Sequence, residues 1–121
     1  MKTLLILAWT AVWAAGVPSP AFAHAFLDHA TPAVGSTIHA PPARVELWFT
    51  EELEPAFSTV RVLDQANRRR DNGDAKVDPR DRTALRVSLP ALAPGRYRVE
   101  WRVLSVDTHV TEGDFTFVIA P

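Results

Sequence analysis

The chain has 121 residues, a formal net charge of −1 and no cysteine. A balance this close to neutral gives no basis for a nucleic-acid or lipid surface, and the length suits one modest domain. Without cysteine there are no disulfides, thiolate zinc sites or blue-copper centres, so a metal site must draw on nitrogen and oxygen, donors that suit Cu(II), Zn(II) or Ni(II) and serve soft Cu(I) poorly.

The first segment reads as an export signal. Lys2 is the only charge before the apolar run Leu4–Val17, Pro18 and Pro20 break that run, and Ala21-Phe22-Ala23 is a small-x-small cleavage site. The run is short of the ~20 residues that span a bilayer, so a retained anchor is the weaker reading. Residues 1–23 are therefore expected to leave as a signal peptide, with residues 24–121 as the mature domain. That domain is expected in the periplasm, soluble and not inserted in the membrane. Cleavage also removes Met1, the only methionine, so the mature chain has no sulfur ligand.

Strand patterns follow. The spacing predicts a first strand around His29, then Arg44–Phe49 with Val45, Leu47 and Phe49 on one face. Thr59–Leu63 and Leu85–Leu89 alternate in the same way, and Phe115–Ile119 closes the chain. Tyr97–Val103 is the clearest case, with Tyr97, Val99, Trp101 and Val103 inward and Arg98, Glu100 and Arg102 outward. Alternation with one wet face marks antiparallel sheets. Ten prolines punctuate the chain and no amphipathic helix is evident, which argues for an all-β sandwich. Glu51–Ala56 could add one helical turn. Leu92–Tyr97 has the pattern of a tyrosine corner. Asn67–Arg82, charged and poor in large apolar residues, reads as a solvated loop or an edge hairpin; the aspartates around Arg68-Arg69-Arg70 make that run a solvated face rather than a basic patch.

Cleavage would make His24 the N-terminus. One residue would then offer an imidazole and a free amine, and an amine of reference pKa ~8 yields its proton to a metal near neutrality. In Asp107-Thr108-His109 the acid and the imidazole are two apart, and a strand would point both to one side. Alone, that pair also fits polar residues in a turn before Phe115. With His24 the set becomes three nitrogens and one oxygen, which suits tetragonal Cu(II). The uncleaved chain, whose His24 nitrogen is an amide, is expected to bind poorly. Glu51, at the end of a strand, fits either a solvated acidic loop with Glu52 and Glu54 or a carboxylate that holds the second N–H of a metal-bound imidazole. His29 and His39 read as surface histidines, with His39 open to a second site or a contact between chains.

These residues resemble a known family. His24-Ala25-Phe26-Leu27, Thr31-Pro32, Phe49-Thr50-Glu51, Leu92–Trp101, Ser105-Val106-Asp107-Thr108-His109 and Gly113–Phe117 are similar, in order, to the CopC/PcoC periplasmic copper-resistance proteins. The resemblance implies an immunoglobulin-like, cupredoxin-like β-sandwich that binds one Cu(II). It implies His24, through amine and ring, with Asp107 and His109 as ligands, and Glu51 as the acidic residue beside them. It also implies a CopD-like inner-membrane protein as partner. In that family glycine follows the aspartate more often than the threonine found here at Thr108. Some members carry a methionine-rich Cu(I) site, and this chain has no methionine to build one. Two other readings stand beside a copper carrier that is not an enzyme. Two histidines and a terminal amine on copper resemble the histidine brace of lytic polysaccharide monooxygenases, with Trp48 as the one candidate for an exposed platform. The other is a metal-free interaction module that uses the sandwich edges.

Overall fold

The computed structural model describes residues 24–121 together with Gly16. Apart from Gly16, the leader read into residues 1–23 (Lys2, the apolar run and the Ala21-Phe22-Ala23 site) lies outside the described residues. Among the described residues, eight strands build two facing sheets. They are β1 (Leu27–Thr31), β2 (Thr37–Ile38), β3 (Arg44–Phe49), β4 (Thr59–Leu63), β5 (Lys76–Val77), β6 (Ala84–Ser88), β7 (Gly95–Leu104) and β8 (Val110–Ile119). One sheet has the order β1-β3-β6-β5 and the other β2-β8-β7-β4. This is the expected all-β sandwich, with one correction. The short β2 lies parallel to the end of β8, Thr37 opposite Val118 and Ile38 opposite Ile119, so the second sheet is not wholly antiparallel.

Alternation dictates the core. Val45, Leu47 and Phe49 of β3 face Val60 and Val62 of β4, Val99 and Val103 of β7 and Phe115 and Phe117 of β8, all of them buried. Burying side chains of this size contributes roughly 1.5–3 kcal/mol each. Trp101 points inward as its position demands, but it is only half-buried at the flank of the sandwich, edge-on to Phe49 with ring centroids 5.1 Å apart. The tyrosine corner is present, with the Tyr97 hydroxyl donating to the Ala93 carbonyl at 2.6 Å. The helical turn is a 3-10 turn at Pro55–Phe57.

The segment 67–82 is more than a solvated loop. β5 adds an edge to β6, and the aspartates turn onto backbone amides rather than into water. The Asp71 side chain is fully covered and accepts from the amides of Val62 and Gly73 and from Arg69. Asp74 accepts from the Ser88 amide and hydroxyl. Buried carboxylates must find such donors, so this acid-rich stretch is ordered by its acids.

Candidate metal centre

At one end of the sandwich three chain segments meet: residues 24–26, the stretch 50–54 after β3, and the turn 105–109 between β7 and β8. The last two are tied by backbone bonds. The Val106 amide donates to the Glu52 carbonyl at 3.0 Å and the Glu54 amide to the Leu104 carbonyl at 2.8 Å. The first is held by hydroxyls. Thr50 Oγ1 accepts from the Phe26 amide at 3.0 Å and donates to the His24 carbonyl at 3.2 Å, and Thr111 Oγ1 donates to the Ala25 carbonyl at 2.6 Å.

This arrangement brings His24 to His109, with ring centroids 4.6 Å apart and the rings inclined at 71°. Asp107 Oδ1 stands 3.3 Å from His109 Nδ1. Two donors at right angles on one ion, each about 2.0–2.1 Å away, stand roughly 2.9 Å apart, so that spacing needs little adjustment to share a cation. Asp107 and His109 both precede β8 and lie in a turn, not in the strand that their spacing predicts. They converge because the chain reverses tightly: the Thr108 amide bonds to the Ser105 carbonyl at 2.9 Å and the Ser105 amide to the His109 carbonyl at 3.0 Å. Thr108 takes φ +72° to do so.

Ser105, fully buried, was not singled out by the sequence. Its hydroxyl donates to Asp107 Oδ1 and accepts from the His109 amide at 3.3 Å. That hydroxyl above all holds the Asp107 carboxyl below the usual carboxylate range; desolvation opposes it, and the neighbouring imidazole of His109 adds a lesser downward pull. An ionised oxygen donor is therefore ready at neutral pH. The signal for Ser105 was its place two residues before an acid; for Thr111 it was a hydroxyl at an inward position of an otherwise apolar strand face.

The remaining candidates fall differently. Glu51 lies between Thr50 and Glu52 at this end, and its carboxylate makes no hydrogen bond or ion pair with any described residue. His29 is on β1, with its ring stacked on Trp48 at 4.5 Å and its Nδ1 2.6 Å from Asp28 Oδ2. Trp48 is half-buried, with one face covered by the exposed ring of His29. His39 is exposed after β2, which pairs with the far end of β8. Nine residues separate Val110 from Ile119, about 30 Å at 3.3 Å per residue, so His39 cannot share an ion with His109.

Among the described residues no three or more His, Cys, Asp or Glu side chains form a ready-made metal-holding group. His24, Asp107 and His109 approach one another in pairs without closing into such a group, and the nitrogen of residue 24 is a peptide nitrogen as long as residue 23 is attached. Phe26, Val106 and Val110, which adjoin these residues in sequence, are exposed at 59%, 42% and 51%. A concavity of about 600 Å³ lies elsewhere, on the outer face of β4, β7 and β8 among Arg61, Glu100, Arg102 and Asp114. Arg61 and Glu100 there already pair at 2.6 Å.

The CopC domain family matches residues 27–120. Copper resistance protein C of Pseudomonas syringae pv. tomato is 35% identical over 118 residues, covering 89% of this chain and 91% of that one. The crystal structure of CopC from Methylosinus trichosporium OB3b aligns with a TM-score of 0.76 at 37% identity, covering 81% of this chain and 95% of the other. PcoC from Escherichia coli, described as a methionine-rich copper resistance protein, aligns with a TM-score of 0.68 at 31% identity, covering 80% and 99%.

Proposed function

The chain belongs to the CopC family, and from that premise we propose that its mature form is a periplasmic carrier of one Cu(II), acting in copper sequestration or in delivery to a CopD-like inner-membrane importer. The observation that carries this reading is the approach of the His24 and His109 rings to 4.6 Å with Asp107 beside His109. Removal of residues 1–23 frees the amine of His24, and amine, His24 ring, His109 and Asp107 then offer three nitrogens and an oxygen, the donor set of tetragonal Cu(II). Glu51 stands by to orient an imidazole through its second N–H.

The protein holds copper rather than turning over a substrate. Asp107 takes a coordination position that oxygen chemistry would need open, and His29 lies over Trp48 where a glycan platform was considered. With Met1 as the only methionine, Cu(I) has no thioether to move to. The exposed Phe26, Val106 and Val110 give a copper-accepting protein an apolar surface to meet beside the ion.

The test compares a chain that begins at His24 with one that carries extra residues before it. With one equivalent of Cu(II), the first shows a nitrogen-rich tetragonal electron paramagnetic resonance spectrum. The second shows an altered spectrum and gives up its copper to a much weaker chelator. His109→Ala weakens retention, while His39→Ala does not. Equal retention by the two chains would refute the assignment.

A further inference from the structure

Two hydroxyls hold the first residues of the domain, and neither belongs to a ligand. Thr111 lies on β8, two residues beyond His109, and its Oγ1 donates to the carbonyl of Ala25, the residue next to His24. Thr50 follows β3 in the opposite sheet. Its Oγ1 donates to the His24 carbonyl and accepts the Phe26 amide, while its own amide bonds to the Phe26 carbonyl at 2.8 Å. Ala25, between these contacts, is fully buried. Residues 24–26 are therefore stitched to both sheets, and cleavage before His24 would leave a chain end already tied down where termini are usually loose. Threonine suits the task, because its branched Cβ restricts χ1 and keeps the hydroxyl aimed.

We propose that Thr50 and Thr111 are positioning residues for copper capture: they preset the backbone of residues 24–26 so that the His24 amine and ring stand ready opposite His109. The proposal rests on the copper reading above. A loose chain end must be ordered when the ion binds, and fixing one residue's backbone costs an equilibrium factor of about 5–30. The two threonines meet that cost at folding, before copper arrives. Their loss should therefore act mainly on how long copper stays, since affinity changes within one site fall mostly on the dissociation rate.

The experiment uses the chain that begins at His24 and the near-isosteric variants Thr50→Val and Thr111→Val, with Thr50→Ser and Thr111→Ser as rescues. Each valine variant is expected to hold Cu(II) about 10-fold less tightly in chelator competition, with faster release. The paramagnetic spectrum at saturation stays unchanged, because every donor remains. The serine variants return to within about 2-fold of the parent. In the copper-free protein, Thr50→Val speeds hydrogen exchange at the Phe26 amide, and both valine variants increase the fast motion of residues 24–26 seen by NMR relaxation. Parent-like retention in the valine variants, or serine variants as weak as valine, overturns the proposal. Blocking the His24 amine separates the two levels. If blocking weakens binding and the valines do not, positioning fails alone. If blocking does nothing while the valines still loosen residues 24–26, the copper reading fails.

Discussion

Gly113→Ala should destabilise this domain although it adds only one methyl group to a strand. Gly113 faces Trp101 across β7 and β8, and the indole lies over its α-carbon. A Cβ at 113 would stand 2.6 Å from Trp101 Cζ2, 3.0 Å from Cε2 and 3.3 Å from Cη2, where ordinary carbon contacts lie at about 3.5–4.0 Å. The rigid ring has to move as a body, and Phe49, packed edge-on at 5.1 Å, stands in its way. Overpacking of this kind costs about 1–3 kcal/mol. The φ of Gly113 lies outside the left-handed region, so alanine is otherwise tolerated there and recovers roughly 0.5–1 kcal/mol of unfolded-chain entropy. The net loss is about 1–2 kcal/mol, or a fall in Tm of roughly 5–10 °C for a domain of about 100 residues. Calorimetry and indole fluorescence should report it together. Trp101→Leu in the same background removes the obstacle but not the entropy gain, so the double-mutant cycle should show a coupling equal to the overpacking cost, about 1–3 kcal/mol. A Gly113→Ala protein that melts with the parent, or a penalty that persists without the indole, would refute the packing argument.

Thr108→Gly should raise Tm by a few degrees. A β-branched residue at φ +72° carries about 1–2 kcal/mol of strain, and glycine removes it at the loss of the short Oγ1 bond to the Asp107 carbonyl. A lower Tm would count against strain at the turn. Saturating Cu(II) at 100 times Kd should stabilise the cleaved domain by about 2.7 kcal/mol, a rise in Tm of roughly 10 °C or more that a chelator reverses; the metal-free reading requires no shift. Acid should unfold the protein through its aspartates. Burial pushes the Asp71 carboxyl up, but Arg69 and the Val62 and Gly73 amides together hold it below its ordinary value. The Arg68 amide does the same for Asp64, and the Ser88 hydroxyl for Asp74. Folded values that lie low mean that the unfolded chain binds protons first. The stabilisation is thus complete above the unfolded carboxylate range of ~4 and is lost as pH falls through the lower folded values. Tm should hold from pH ~7 to ~5 and drop below ~4, and Asp71→Asn should lower Tm at neutral pH and flatten that drop. A Tm indifferent to acid would contradict the hydrogen-bond assignments.

Much of the fold was legible because a strand with one wet face writes its orientation into every second residue. The run from Tyr97 to Val103 named its inward side chains without any structure, and the Tyr97 corner followed from six residues. Composition alone narrowed the side-chain donors to imidazole and carboxylate, with no cysteine and one methionine. What a period of two cannot encode is the path of the chain between strands. The pairing of Asp107 with His109 was drawn as a strand and is a turn, held by a buried serine whose partners are set by the backbone reversal. The parallel pairing of β2 with β8 depends on two residues too short to carry a pattern. The seat of His24 depends on Thr50 and Thr111, which are 26 and 87 positions away in the chain. Contacts at such separations leave no local signature, since each hydroxyl reads as an ordinary strand or loop residue until the sheets stack. Residue types are a property of the chain, but the point at which residues 24–26, a loop and a turn converge exists only once the core has closed behind them.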